Sequence, residues 1–193
     1  MTRARQLIFI IALYAVATVA VADDVRLTEE FDFFSVYPDS VNDLGPALLA
    51  AGRKQALGPA AIAETLSRHN WSLDMTSDNR ACSVSGASVT LEVIYRMPKV
   101  VSDDDDINAR WETLYPRILK HERQHKDIAF EVSQEILAAL NALRPATDCD
   151  ALVETASAIV DRLHSEERQR QKAFDKRTIG GETEGIIRFE VYE

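Results

Sequence analysis

His121-Glu122-Arg123-Gln124-His125 sets two imidazoles four residues apart, with a carboxylate directly after the first. On a helix, that spacing leaves the side chains about 40° apart around the axis, with Cβ atoms roughly 5–6 Å apart. Two imidazoles so placed can both reach one ion at about 2.0–2.1 Å, the zinc–nitrogen distance. Glu122 is rotated to one side, where a carboxylate can hold a metal-bound water and take its proton. The apolar series Ile107, Trp111, Leu114 and Ile118 resumes at Ile128 and Val132, so both histidines occupy positions that the pattern otherwise fills with Leu or Ile. A buried imidazole needs a partner for each nitrogen, and a metal in front with an acceptor behind supplies both. The competing reading is a pair of histidines hydrogen-bonded in a polar gap or lying on a solvated face.

A catalytic zinc site needs a third protein ligand and a position left for water. A helix hairpin turning near residues 146–147 would bring levels 172 and 168 opposite His121 and His125. Glu167 is then preferred as third ligand, with Glu166 and Asp175 as alternatives; Glu166 and Glu167 could equally be solvated surface. Arg170 and Thr178 are candidates for a supporting or oxyanion-donor role. His164 lies off the inward stripe and more than a turn away. His69, beside Asn70 and Trp71, reads as a surface or turn residue.

These residues need elements to hold them. Phe31, Phe33 and Val36 suggest a first strand stopped by Pro38. A short helix enters at Gly45-Pro46, where proline suits a first turn, and ends at Gly52 and Gly58-Pro59. Trp71, Leu73 and Met75 alternate, as do Val89, Leu91, Val93, Tyr95 and Met97, which predicts two strands joined by a turn over residues 77–80. Pro98 is expected to end the second. From Ile107 to Leu143 the apolar steps of three and four predict a helix of about nine or ten turns. Asp103 to Asp106 lack the ligand spacing and glycine of a calcium loop, and are read as caps on its positive end. Pro145 ends it, a second helix opens at Cys149-Asp150, Gly180-Gly181 breaks the chain, and residues 186–191 read as a closing strand. The fold expected is α+β: a small antiparallel sheet packed on a long antiparallel helical hairpin.

The 193 residues carry 22 Lys plus Arg against 31 Asp plus Glu, a formal charge of −9, with 46% hydrophobic residues. This is ordinary globular composition, and its acidity argues against nucleic acid or an anionic lipid surface as partner. Arg3 and Arg5, the apolar run Leu7 to Val21 and Ala20-Val21-Ala22 read as a signal peptide over residues 1–22, rather than an anchor, with one domain over 23–193. No stable membrane insertion is expected after its removal. Export to an oxidising compartment makes a Cys82–Cys149 disulfide the default for the only two cysteines.

Taken together, Cys82, the strand ending near Pro98, Trp111, the His121–His125 motif, Cys149 and Phe174-Asp175-x-x-Thr178-x-x-Gly181 resemble a bacterial domain-of-unknown-function family, number 922. That family is described as predicted secreted zinc-dependent proteases. The resemblance runs from about Phe34 to Gly185 and implies a single zincin-like domain. The family's tail pattern reads Tyr-Asp-x-x-Thr-x-His-Gly-x-x-Gln-Gly. Here Phe174, Gly180 and Glu184 stand in place of the tyrosine, the histidine and the glutamine, while Asp175, Thr178, Gly181 and Gly185 match. The expected function is a periplasmic or secreted zinc metallopeptidase acting on peptides or cell-wall peptides, with Glu122 as general base and His121, His125 and an acid as zinc ligands. The alternative is a non-catalytic zinc-binding or interaction module of the cell envelope.

Overall fold

The computed structural model describes residues 25–57, 61–78 and 80–186. Three strands, β1 (Arg26–Val36), β2 (Glu64–Ser77) and β3 (Cys82–Val100), form a sheet ordered β1-β3-β2. Helix α1 (Leu44–Lys54) follows β1. Helices α2 (Asp105–Asn141) and α3 (Cys149–Thr178) follow β3, and a short 3-10 turn covers Glu182–Glu184. The architecture is α+β. Among the described residues no helix is long and apolar enough to cross a membrane.

The sheet is mixed, not antiparallel throughout. β2 and β3 form an antiparallel hairpin, but β1 runs parallel to β3. Alternation of apolar residues specifies a face and not a direction, so the periodicity could not distinguish the two. The turn between β2 and β3 is closed by Asp78, whose Oδ1 accepts from the backbone N–H groups of Arg80 (2.7 Å) and Ala81 (2.9 Å).

Pro98 does not end β3, which continues to Val100 with Pro98 opposite Phe34 of β1. Val101 donates its N–H to Val36 on the β1 side, so by alternation the N–H that Pro98 lacks would face the β2 side. There β2 has already ended, at Glu64 opposite Arg96, and no ladder bond is lost.

Gly52 does not end α1 but lies within it. A Cβ at Gly52 would come 2.2 Å from the Ala61 carbonyl oxygen, so the glycine permits a close backbone approach. The expected signal segment over residues 1–22, and all of the expected closing strand over residues 186–191 except Ile186, lie outside the described residues.

Ala87, Val89, Leu91, Val93, Tyr95 and Met97 line the buried face of β3. Helix α2 crosses this face, and α3 packs along α2. The core lies between sheet and hairpin, where Ile118, Ala129, Val132, Ile136 and Leu140 of α2 are essentially inaccessible to solvent. Asp104 caps α2 as expected: its Oδ1 accepts from the N–H groups of Asp106 and Ile107 at 2.8 and 3.1 Å.

Cys82 and Cys149 are joined in a disulfide that ties the start of β3 to the start of α3. Ala146, in the connection between the long helices, exchanges both backbone hydrogen bonds with Cys82 (2.9 and 3.0 Å).

Candidate metal centre

The hairpin brings two imidazoles of α2 against one carboxylate of α3. His125 Nε2 lies 3.0 Å and His121 Nε2 3.5 Å from Asp175 Oδ1. One donor atom from each of the three residues falls within 4.8 Å of the other two.

The opposite ring nitrogens define what faces this point. His121 Nδ1 lies 2.7 Å from Glu184 Oε2, and His125 Nδ1 lies 2.6 Å from Gln171 Oε1. Both partners are acceptors, so each Nδ1 carries hydrogen and, in the neutral rings, each Nε2 turns a lone pair toward Asp175. Gln171 is held in that orientation because its amide donates to the backbone oxygen of His125 at 3.0 Å. Gln124 donates to the other oxygen of Glu184. Two nitrogen lone pairs and a carboxylate oxygen thus converge, with acceptors behind both rings, and this set fits a divalent ion that accepts nitrogen and oxygen ligands.

The proton affinities follow the same geometry. Burial would push both imidazoles down. The Asp175 carboxylate, joined by Glu184 at His121 and by Gln171 at His125, outweighs it and holds both above the usual histidine range. Burial would raise Asp175, but the two imidazoles hold it well below the usual carboxylate range. Protons gather where a cation would sit.

Glu122 reaches toward the sheet while staying close enough to His125, His121 and Asp175 to feel their charges. Its Oε2 accepts a 2.6 Å hydrogen bond from Thr65 Oγ1, which also lies 3.0 Å from the Glu122 backbone oxygen. The residue is only 5% exposed, and burial raises its carboxyl above the usual range despite Thr65. Thr65, Ser67 and His69 share the helix-facing side of β2, which is how an edge strand reaches both long helices.

Phe174 is buried and packs against both rings. Its centroid is 4.8 Å from each, stacked on His121 and edge-on to His125. At the end of α3 the backbone turns through positive φ at Ile179, Gly180 and Gly181. This turn carries Glu184 back to His121. A Cβ on Gly181 would come 2.4 Å from Ile186 and 3.4 Å from His121 Nδ1, so a side chain there would crowd the site. Thr178 supports the same turn, donating to the Phe174 oxygen (3.0 Å) and accepting from the Gly181 N–H (3.3 Å).

Glu167, preferred as third ligand on the sequence, is not in the gathered group. It accepts from Ser67 Oγ at 3.0 Å and faces His69. Glu166 pairs with Arg162, and Arg170 is clasped by both carboxylate oxygens of Glu135. The reason is an offset of the hairpin. The connection over residues 142–148 is not a tight turn but runs out to pair with Cys82. Asp175 faces His121 and Gln171 faces His125, each three residues further along α3 than a tight turn would give. Glu184, Gln171 and Thr65 were not singled out as site residues on the sequence. For Glu184 the available signal was its place in the tail pattern, where it stands for the glutamine just beyond the double-glycine break. The other two carry no local mark.

These features define an α+β chain with a candidate metal centre on a helical hairpin. A family model described as bacterial protein of unknown function (DUF922) matches residues 31–181, and the chain belongs to that family. No curated protein matches the chain, and no solved structure matches it.

Proposed function

We propose that this protein is a periplasmic or secreted zinc-dependent peptidase. The observation carrying this reading is the convergence of His121 Nε2, His125 Nε2 and Asp175 Oδ1, each ring backed by an acceptor, next to a buried glutamate. Two imidazoles and one carboxylate are a donor set that suits zinc and leaves a coordination position for water. Glu184 sits behind His121, on the Nδ1 side, and therefore supports a ligand instead of closing the centre as a fourth one.

When bound, zinc supplies Lewis acidity, which eases deprotonation of a water and polarises a carbonyl. The remaining work belongs to the chain. Thr65 engages Glu122 Oε2, and Oε1 is the oxygen assigned to take a proton from the attacking water and return it to the departing amine. Burial, by raising the affinity of Glu122 for protons, suits it to that exchange near neutral pH. Asp175 is half exposed, which leaves the centre open on one side to an extended peptide or a cell-wall peptide. The cystine and the apolar amino-terminal segment support an oxidising location outside the cytoplasm.

The test pairs metal content with peptide hydrolysis in wild type and Glu122→Gln. Expected are equal zinc contents and hydrolysis reduced to background in the variant. Turnover at the wild-type rate in Glu122→Gln would remove the general base. A wild-type protein that retains zinc but cleaves no peptide would identify a binding module instead.

A further inference from the structure

A second cluster of ionisable groups lies along the same hairpin, and the mechanism above does not use it. Glu167 stands on α3 eight residues before Asp175, about 12 Å along the axis. Its side chain is 9% exposed, and its carboxylate lies 3.6 Å from Nδ1 of His69, whose side chain is 3% exposed. The other ring nitrogen of His69 lies 3.1 Å from the carbonyl oxygen of Ala129 on α2. A carbonyl only accepts, so Nε2 carries the hydrogen and the neutral ring turns the Nδ1 lone pair toward a carboxylate. Two acceptors therefore face each other across a gap.

His164, one turn before Glu167, adds a third group. Its ring centroid is 5.0 Å from that of His69, and its Nε2 is buried without a hydrogen-bond partner. Buried polar atoms are seldom left in that state. A proton on His69 would relieve the contact with Glu167 but leave His164 Nε2 alone. A cation would answer all three once His164 turns toward the other two.

We propose that His69, His164 and Glu167 form a second metal site, taking a late first-row divalent cation of the zinc type through His69 Nδ1, His164 Nε2 and a Glu167 oxygen. Two imidazoles and a carboxylate select that class over magnesium or calcium. The outer partners are already in place: Ala129 fixes the His69 tautomer, and Ser67 Oγ holds Glu167 Oε1 at 3.0 Å, leaving Oε2 toward His69. Among the described residues only the first centre has three donors within 4.8 Å of one another, so closure of the second requires His164 to turn inward. The separation of about 12 Å exceeds the roughly 3.5–4 Å of paired catalytic metals. The second ion therefore acts separately, clamping β2 to both long helices.

The test is zinc stoichiometry by elemental analysis after removal of metal and titration with zinc chloride. Wild type is expected to take two equivalents, His121→Ala/His125→Ala one, and His164→Ala one. Cobalt(II) should give a visible absorption band in His121→Ala/His125→Ala that disappears when His164→Ala is added. A wild type that saturates at one equivalent, lost in His121→Ala/His125→Ala and kept in His164→Ala, overturns this site and leaves the peptidase centre standing. One equivalent with the reverse dependence supports this site and removes the other. Should His121→Ala/His125→Ala fail to fold, as circular dichroism would show, His164→Gln and His69→Gln in the otherwise native chain decide the matter. Each should lose one equivalent of two, and no loss in either overturns the proposal.

Discussion

At the scale of residues, the centre depends on what stands behind each ring as much as on what stands in front. Glu184 and Gln171 hold hydrogen on the two Nδ1 atoms, so the Nε2 lone pairs are aimed before any ion arrives. Loss of such an outer partner ordinarily costs about 10–100-fold in metal affinity. Glu184→Ala should fall in that range by competition with a chromogenic chelator. Glu184→Gln should lose less, since an amide oxygen still accepts from His121. Asp175→Asn should exceed both, and wild-type affinity in that variant would exclude the carboxylate as a ligand. Phe174 occupies the position of the family's tyrosine and packs on both imidazoles, so here that position shapes the site without offering a hydroxyl.

At the scale of elements, which carboxylate meets the two imidazoles is a matter of helix offset. Residues 142–148 run out to pair with Cys82 before α3 begins, and this shift sets Asp175 against His121 while Glu167 meets β2. The short helix α1 has its own constraint at Gly52. A Cβ there would meet the Ala61 backbone oxygen, which cannot rotate away as a side chain could. Gly52→Ala should therefore destabilise the protein by about 1–3 kcal/mol, the usual cost of overpacking, despite alanine's better helix propensity. Urea unfolding monitored by circular dichroism would show it, and an unchanged midpoint would contradict the close approach.

At the scale of the whole molecule, a covalent tie and a buried phenol make the stability depend on redox state and on pH. The Cys82–Cys149 link closes a separation of 67 residues. Chain-entropy reasoning assigns a loop of that length about 4 kcal/mol. Reduction, or Cys82→Ser with Cys149→Ser, should lower the urea midpoint accordingly. Tyr95 is inaccessible and donates to Glu29 Oε1 at 2.6 Å, and burial followed by that carboxylate raises its phenol far above the ordinary value. In the unfolded chain Tyr95 ionises near pH 10, at about its reference value. Above that pH the unfolded state holds fewer protons than the folded one, so stability falls as pH rises. Tyr95→Phe should flatten this alkaline decline, measured as the change in urea midpoint between about pH 9 and pH 11.

The chain order itself determined the helical His-Glu-x-x-His segment, the long α2 with its aspartate cap, the alternating β3 face and the pairing of the only two cysteines. Each rests on a short-range period or on a count that admits one answer. Tertiary structure alone decided that β1 runs parallel to β3, that Asp175 instead of Glu167 meets the two imidazoles, and that His69 is buried against α2 and α3. Those outcomes depend on strand direction and on the axial offset of two packed helices. A periodic pattern fixes which way a side chain faces but not how far its element has slid along a neighbour, and a slide of three residues exchanges one carboxylate for another.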